Sequence, residues 1–362
     1  MNYQVAPLTD VENPTIPMGM LGALSRGYAR LFAESRYAER ISPPHIVHNT
    51  GFELSLMVSS ASEIADGVRM LTLVRPDLSP LPRWSPGAHI DVFTPSGKQR
   101  HYSLTGDPAD VSSYRIAVRK LPDGTGSVEM HDVRIGEFLS IRGPRNAFTF
   151  AASPSYLFVA GGIGITPILP MVRAAQLDGA DWTLVYTGAN RASMPFLDEL
   201  LEIESRSGRG RLDIRPDEEC GVPDLAQVLA DRPEGAAVYV CGPTGMLDGL
   251  RDLVYRDHPQ VEMHSERFSA PPVVGGAQFD VLLARSGTRV TVGADETALT
   301  AIRRVKPEVQ YSCQQGFCGA CRVKVLKGEV EHRDRVLVGD QRDTSMTICV
   351  SRACDDELVI DL

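Results

Sequence analysis

Four cysteines near the C-terminus constrain this chain more than any other feature. The run from Cys313 to Cys321 reads C-x4-C-x2-C, with Cys318 in the middle, and Cys349 follows further along. Four thiolates at this spacing hold a plant-type [2Fe–2S] cluster. The spacing therefore predicts that these four cysteines are metal ligands.

The backbone between the clustered cysteines has to wrap closely around the metal. Gly316 and Gly319 supply that freedom, because glycine tolerates positive φ and close backbone approach. The fourth ligand must come from a separate segment, and Thr347 to Val350 is predicted to be a strand. The alternative of four buried or disulfide-bonded cysteines fits poorly, because disulfides do not call for three cysteines grouped between glycines. The segment is therefore expected to transfer single electrons.

Composition narrows the class of protein. A length of 362 residues indicates two or three domains, and a formal charge of −9 argues against a nucleic-acid partner. Cys220, Cys241 and Cys354 remain outside the predicted ligand set, which fits a reducing cytoplasm. No apolar run approaches the ~18–20 residues of a membrane span, and no secretory signal is recognisable. We therefore expect a cytoplasmic protein with no membrane span.

Residues 1–50 form an N-terminal extension with one predicted helix, from Met18 to Arg40. Its apolar side chains recur at steps of three and four, as Leu21, Leu24 and Tyr28 illustrate. Three interpretations remain open for this amphipathic helix. It packs on its own protein, docks a redox partner or second subunit, or lies on a membrane surface.

Residues 51–153 show short strands separated by turns rich in glycine and proline. This texture predicts an antiparallel barrel or sandwich. The candidate strands are Phe52–Ser60, Val68–Pro76, His89–Thr94, Tyr114–Lys120 and Phe138–Arg142.

Within this region, Arg100 to Leu104 reads R-H-Y-S-L. Arg100 and Tyr102 face the same side of a strand, because side chains alternate in direction. Arg100 can fork onto a phosphate, and Tyr102 can stack on or edge a planar ring. Ser103 can hydrogen-bond the polar edge of such a ring. The motif therefore suits a phosphorylated aromatic ligand.

Residues 154–268 alternate between strands and helices, which predicts a parallel sheet with ligands beyond the strand carboxyl ends. The strand Tyr156–Ala160 enters the loop G-G-I-G-I-T-P from Gly161 to Pro167, and a helix follows over Ile168–Gln176. Thr166 is the expected N-cap, and Pro167 fits the first turn. Such a loop presents free N–H groups to an anion. A second strand end carries Cys241, Gly242 and Pro243.

Residues 269–277 are predicted to be a linker, because prolines and glycines are concentrated there. Residues 278–362 follow as the segment that contains the cluster cysteines. Its expected elements are a hairpin of Gln278–Leu283 with Thr288–Val292, a helix over Thr297–Val305, and closing strands Arg322–Leu326 and Glu357–Ile360.

Taken together, these motifs resemble the phthalate dioxygenase reductase and vanillate demethylase reductase family. This family lies within the ferredoxin–NADP reductase superfamily and carries a C-terminal plant-type ferredoxin. The resemblance spans residues 52–362 and includes E-H-R-D at 331–334, C-V-S-R-A at 349–353 and E-L-V-I-D-L at 357–362. It implies a multidomain α/β plus β fold: an antiparallel flavin-binding β-barrel, a Rossmann-like parallel α/β nucleotide domain and a β-grasp ferredoxin domain.

The same resemblance implies the residues that hold the cofactors. It names no catalytic nucleophile, acid or base. Arg191 either accepts a 2′-phosphate or is a solvated charge, and Cys241 and Phe268 either lie beside the rings or pack in the core. The implied cofactor-binding residues are Arg100, His101, Tyr102, Ser103, Leu104, Gly126, Ser127, Val128, Gly162, Gly164, Thr166, Pro167, Thr187, Arg191, Cys241, Gly242, Pro243 and Phe268.

In function, the resemblance implies an NADH-dependent reductase that uses FMN, where the wider superfamily mostly uses FAD. Electrons would pass to the cluster and then to a separate terminal oxygenase, Rieske-type or haem-containing. The expected donor face surrounds Gln314, Gln315, Phe317 and Gly319. Two alternatives are a flavin reductase that acts on a small acceptor and a non-enzymatic iron–sulfur sensor.

Overall fold

The computed structural model describes residues 52–122 and 124–362, and the helix predicted over Met18–Arg40 lies outside them. Three large sheets, of six, five and five strands, follow one another along the described chain, and a two-stranded sheet accompanies the third. No helix in the described part of the chain is both long enough and apolar enough to cross a membrane.

The first sheet is antiparallel and six-stranded, in the order β4-β3-β6-β1-β2-β5, and forms an open half-barrel. Its inward-facing aliphatic side chains form one core with Tyr114 and Met130. This confirms the predicted antiparallel flavin-type barrel, and the motif strand is β4. The elements are β1 Phe52–Ala65, β2 Val68–Val74, β3 Ala88–Phe93, β4 Gln99–Ser103, β5 Tyr114–Arg119, α1 Thr125–Asp132 and β6 Phe138–Asn146.

The second sheet is parallel and five-stranded, in the order β11-β10-β7-β8-β9. Strands β7 and β10 are buried along their whole length, as expected for parallel strands covered on both faces. The strand order reverses between β7 and β10, so ligands are expected beyond that point. The elements are β7 Ser155–Gly161, α2 Ile165–Leu177, β8 Asp181–Gly188, α3 Leu197–Ser205, β9 Gly210–Pro216, α4 Asp217–Cys220, α5 Leu225–Ala230, β10 Ala237–Cys241, α6 Thr244–Asp257 and β11 Met263–Glu266.

The third sheet, in the order β13-β12-β18-β14-β16, carries the cysteine loop between α7 and β14. A two-stranded β15–β17 pair lies beside it. The hairpin of β12 and β13 follows the predicted register around Ser286 and Gly287. The elements are β12 Phe279–Leu283, β13 Thr288–Val292, α7 Ala298–Arg303, β14 Arg322–Lys327, β15 Val330–Glu331, α8 Gln341–Thr344, β16 Ser345–Thr347, β17 Arg352–Ala353 and β18 Glu357–Ile360.

One strand prediction was wrong in this domain. The strand expected over Thr347–Val350 ends at Thr347, and Cys349 lies in the turn that follows. The N–H groups of Val350 and Ser351 both donate to the carbonyl oxygen of Thr347, at 3.3 and 3.0 Å. These bonds curl the chain and bring Cys349 towards the cysteine loop.

Candidate functional site

The four predicted cluster cysteines come together as two pairs. The Cys313 thiol is hydrogen-bonded to Cys318, and the Cys321 thiol is hydrogen-bonded to Cys349. A [2Fe–2S] cluster has two irons and takes four protein thiolates, so two adjacent pairs are the arrangement it needs. Within residues 52–122 and 124–362, no three His, Cys, Asp or Glu side chains converge as a site for a single metal ion.

The glycines of this loop are required by its backbone. Gly316 and Gly319 have φ angles of +76° and +70°. A Cβ at Gly316 would also stand 3.0 Å from the Cα of Asp334 and 2.8 Å from Cγ2 of Val350. Side chains are therefore excluded where the loop folds on itself.

Backbone N–H groups in the same loop are aimed at sulfur. The N–H of Gln315 donates to Sγ of Cys313 at 3.4 Å. The Cys318 thiol, together with such backbone donors and against the effect of burial, lowers the pKa of Cys313 to about 6. At Cys313 the loop therefore favours the thiolate form that metals bind, whereas hydrogen bonding to Cys313 and burial raise the pKa of Cys318.

The flavin motif on β4 and the element at α1 meet as expected. Arg100 lies across Gly126, where a Cβ would stand 2.8 Å from its Cζ. Tyr102 lies on the same side of β4, half-buried against the barrel core. Ser127 has its hydroxyl occupied, since it donates to the Gly124 carbonyl at 2.8 Å and accepts from the Leu121 N–H.

The other residues that were predicted to bind the flavin, on β4 and next to it, face in other directions. His101 points to the opposite side, with Nε2 lying 3.4 Å from the Asp91 carboxylate. Leu104 is fully buried in the barrel core, and Val128 belongs to α1. Ser103 hydrogen-bonds the carboxyl group of Glu266 at the end of β11.

The two nucleotide motifs of the parallel sheet touch each other. A Cβ at Gly164 would stand 2.6 Å from the carbonyl carbon of Cys241, and one at Gly161 would collide with Pro243. A Cβ at Gly242 would stand 3.0 Å from the Cα of Gly161. These glycines permit the glycine-rich loop to lie directly on the end of β10.

The helix after this loop begins earlier than predicted. Helix α2 starts at Ile165, with Gly164 at the N-cap, so the expected N-cap role of Thr166 was wrong. The Thr166 hydroxyl donates instead to the Ile163 carbonyl at 2.9 Å. Pro167 lies in the first helical turn, as the sequence predicted.

Thr187 is the last residue but one of β8, and Arg191 follows this strand. Thr187 is buried, and its hydroxyl donates to the Ala160 carbonyl at 3.4 Å. The guanidinium Nε of Arg191 donates to both carboxylate oxygens of Glu219, at 2.8 and 3.0 Å. Arg191 therefore has an anionic partner within the protein.

Cys241 is fully buried, and burial raises the pKa of its thiol well above the usual value. It is therefore uncharged and unsuited to nucleophilic attack. Phe268, by contrast, is 52% exposed. It lines a small cavity rather than a core.

That cavity joins all three domains. It has a volume of about 60 Å³ and is lined by Ser103 from β4, Glu266 and Phe268 from the end of the nucleotide domain, and Cys313 from the cluster loop. Gln315 in this loop also donates to the carbonyl oxygen of Arg267. The flavin motif, the nucleotide domain and the first cluster ligand thus share one enclosed space.

Sequence reasoning missed two residues here, Glu266 and Arg119. Burial, and then the neighbouring Cys313, raises the pKa of Glu266 to about 8, and its Oε2 has no hydrogen-bond partner among the described residues. Arg119 ends β5, and its Nη1 lies 3.3 Å from where a Cβ on Gly162 would be. Only the charge of Arg119 at a strand end could have drawn attention to it.

Three family models match consecutive parts of the chain. Residues 55–150 match an oxidoreductase FAD-binding domain, and residues 158–252 match an oxidoreductase NAD-binding domain. Residues 281–354 match a 2Fe-2S iron-sulfur cluster binding domain. The chain is therefore an oxidoreductase with flavin, NAD and [2Fe–2S] domains.

Individual relatives match over nearly their whole length. The chain is 39% identical over 320 residues to phenoxybenzoate dioxygenase subunit beta of Ectopseudomonas oleovorans, covering 85% of this chain and 97% of that protein. An intact type IV self-sufficient cytochrome P450 monooxygenase matches with a TM-score of 0.69 and 37% identity. That match covers 90% of this chain but only 44% of the P450 chain.

A solved phthalate dioxygenase reductase, described as a modular structure for electron transfer from pyridine nucleotides to [2Fe–2S], matches with a TM-score of 0.64 and 34% identity. This match covers 86% of the present chain and 98% of that structure. In the present chain the flavin, NAD and [2Fe–2S] domains follow one another in this order. The chain belongs to the phthalate dioxygenase reductase family.

Proposed function

We propose that this chain takes electrons from NADH onto FMN and passes them through a [2Fe–2S] cluster to a separate terminal oxygenase. The shared cavity carries the proposal, because Ser103, Phe268 and Cys313 line the same space of about 60 Å³. When bound, the flavin converts two-electron hydride transfer into single-electron steps. The protein contributes placement, and no side chain acts as nucleophile or strong base.

Arg100 and Gly126 would hold the flavin phosphate, and Tyr102 and Ser103 would contact the ring. The Arg100 guanidinium lies over Gly126 at the first turn of α1, where a terminal phosphate is favoured. The connection from Lys120 to Gly124 contains no aromatic residue on which an adenine could stack. The first observation fits the phosphate of either flavin, and the second supports FMN over FAD, which carries an adenine.

NADH would bind across the loop at 161–167, with its nicotinamide near Cys241 and Pro243. Arg119 reaches over Gly162 from the flavin barrel, and its side chain is exposed. Its guanidinium forms no hydrogen bond or ion pair with another described residue. We assign Arg119 to the nucleotide pyrophosphate. Thr187 would lie beside the same nucleotide.

The charge around Arg191 supports NADH over NADPH. Both carboxylate oxygens of Glu219 accept from Nε of Arg191. The carboxylate of the adjacent Glu218 accepts from the side chain of Asn190. Carboxylates at this position can accept a ribose hydroxyl but repel a 2′-phosphate. Of the two roles open for Arg191, this geometry favours the solvated charge, here paired with Glu219, over a 2′-phosphate acceptor.

We propose domain boundaries at 51–153, 154–268 and 278–362, with residues 269–277 as a linker. Each range contains one complete sheet, and the linker range contains no helix or strand. Cys220, Cys241 and Cys354 are free thiols, which supports a reducing compartment such as the cytoplasm.

The oxygenase would dock on the side of the cluster loop that faces away from the cavity. Of the donor face expected from the sequence, Gln314, Gln315 and Phe317 line the cavity towards the β4 motif, so we place the docking surface nearer Gly319. On the other side, Gly319 packs against Val336, and Val338 is 67% exposed. A small apolar surface of this kind suits a transient redox encounter.

The test is an anaerobic titration of the purified protein with NADH, followed in visible light, with chromatographic identification of the released flavin. We expect overlapping flavin and [2Fe–2S] bands that both bleach, and release of FMN. Release of FAD would contradict the FMN assignment and leave the electron path intact. Bleaching of the flavin without the cluster, or absence of flavin, would contradict the electron path itself.

A further inference from the structure

Alternation along two strands gives the flavin barrel a polar outer face. In the β3–β4 pairing, His89 lies opposite Ser103, and Asp91 lies opposite His101. Gln99 shares this face, whereas Arg100 and Tyr102 occupy the other. Polar side chains on the outside of a barrel normally contact water.

Here they are buried instead. Asp91 has no exposed surface, and His89 and Gln99 are 5% and 8% exposed. The ferredoxin domain covers them with Tyr311 and Ser312, the two residues immediately before Cys313. Burying a carboxylate costs free energy unless it is hydrogen-bonded or paired with a cation. Each buried polar group of this contact therefore needs a partner.

The matching is found at Ser312. Its hydroxyl donates to Oδ1 of Asp91 at 2.9 Å, and Nε2 of His89 lies 3.4 Å from the same hydroxyl oxygen. Since the serine proton points to Asp91, His89 is the donor of the second bond. Arg145 forms an ion pair with the other oxygen of Asp91.

A second contact holds the adjacent residue. Nε2 of Gln99 donates to the Tyr311 carbonyl at 2.7 Å. The ring of His101 meets the Tyr311 ring edge-on, with 6.2 Å between centroids. Two consecutive residues of the ferredoxin domain are thus fixed to the flavin barrel.

We propose that His89, Asp91, Gln99 and His101, together with Tyr311 and Ser312, form an interdomain clamp that sets the distance between flavin and cluster. These are positioning residues, because their side chains bond across the interface. Gln99 contacts Arg100 through its backbone carbonyl, which a side-chain substitution leaves in place. Domains joined by a linker are expected to move relative to each other unless their interface prevents it. Electron transfer falls steeply with distance, so a clamp beside the first cluster ligand would keep the transfer step fast.

The inference rests on the proposed function, and two variants test it from opposite sides of the interface. Ser312→Ala removes the hydroxyl that joins His89 to Asp91, and Gln99→Ala removes the donor to Tyr311 from the barrel side. Ser286→Ala is the matched control, because this exposed hairpin serine bonds only within its own turn. Asp91 is left intact, because its carboxylate also pairs with Arg145 and its loss would disturb more than the contact with Ser312.

Rapid anaerobic mixing with NADH separates flavin reduction from the later bleaching of the cluster. We expect each variant to slow flavin-to-cluster transfer roughly tenfold, because a small displacement of reacting groups has large kinetic effects. The KM for NADH and the reduction of ferricyanide by the flavin should match the wild type. The Ser286→Ala control should match it in every step.

Hydrogen exchange supplies a readout that is independent of chemistry. We expect amides around Tyr311 and Ser312 to exchange roughly tenfold faster in the variants, because the broken bonds raise the population of the open interface. Wild-type transfer in both variants would overturn the clamp, as would unchanged exchange. Failure of the wild-type protein to bleach its cluster would instead refute the proposed function.

Discussion

Arg100 lies directly over the backbone of Gly126, and a Cβ on Gly126 would stand 2.8 Å from the Cζ of that arginine. The two residues come from β4 and the start of α1, so the contact joins the two elements that we propose hold the flavin. Gly126 is buried under the guanidinium. A side chain at this position would displace the cation from the proposed phosphate site.

Gly126→Ala is therefore expected to be purified with little flavin. The added methyl group pushes Arg100 out of place, and a charge-assisted phosphate contact worth about 1.5–3 kcal/mol is weakened. Flavin content is measured from the visible spectrum and by release into solution. Gly245→Ala is the control, because nothing lies within 4 Å of its Cβ position. Full flavin occupancy in Gly126→Ala would contradict the assignment of this site.

The position of Arg119 over Gly162 leads to a second prediction. Arg119→Ala should raise the KM for NADH about tenfold with little change in kcat, because a charged hydrogen bond to bound phosphate is lost. Calorimetric titration with ADP-ribose should show the same loss without any turnover. Lys120→Ala removes a neighbouring exposed charge and should bind normally. Equal ADP-ribose affinity in the wild type and Arg119→Ala would rule out the pyrophosphate role.

The pairing of the four thiols leads to a third prediction. Cys349→Ser should abolish the [2Fe–2S] bands, because one iron would lose a thiolate ligand. NADH-driven reduction of ferricyanide by the flavin should persist. Cys354→Ser provides a close control, since that thiol is exposed and lies outside the pairs. Retention of normal cluster bands in Cys349→Ser would remove Cys349 from the ligand set.

Local pattern was sufficient to predict much of this fold. The apolar run Tyr156–Ala160 forms the central buried strand of the parallel sheet. The glycines of the turn after it allow the backbone to approach the end of β10 closely. The cysteine spacing similarly predicted one site from four residues. Each of these features is encoded in one short segment, so it can be predicted without knowing which other parts of the chain pack against it.

The clamp could not be predicted from the sequence, because its residues come from segments that lie far apart in the chain. His89 and Asp91 alternate with Ile90 and Val92, a pattern that normally marks a solvent face. Ser312, which covers them, lies 223 positions after His89. Arg191 presents the same difficulty, since its charge looks free until β9 and α4 place Glu219 beside it.

That neighbour determines the fourth prediction, on nucleotide preference. Glu219→Gln should narrow the preference for NADH over NADPH about fivefold in kcat/KM, because it frees Arg191 and removes a repulsive carboxylate. Steady-state kinetics with both nucleotides measure the ratio. Glu234→Gln, an exposed glutamate elsewhere in the same domain, should leave the ratio unchanged. An unaltered ratio in Glu219→Gln would contradict this account of Arg191.

The buried imidazole of His89 leads to the last prediction, on stability against pH. Burial, and then the nearby His101, lowers the pKa of His89 to about 4 from the usual value of 6.5. Below pH 6.5, His89 therefore binds a proton in the unfolded chain but stays neutral in the folded chain. The free energy of unfolding falls for this reason as the pH drops from 6.5 towards 4. Between pH 7 and pH 5 the loss from this group is about 2 kcal/mol. His89→Gln removes the titrating group, so calorimetric unfolding at the two pH values should show a correspondingly smaller decline for the variant. An equal decline in both proteins would show that His89 is already charged in the folded state or is exposed to water.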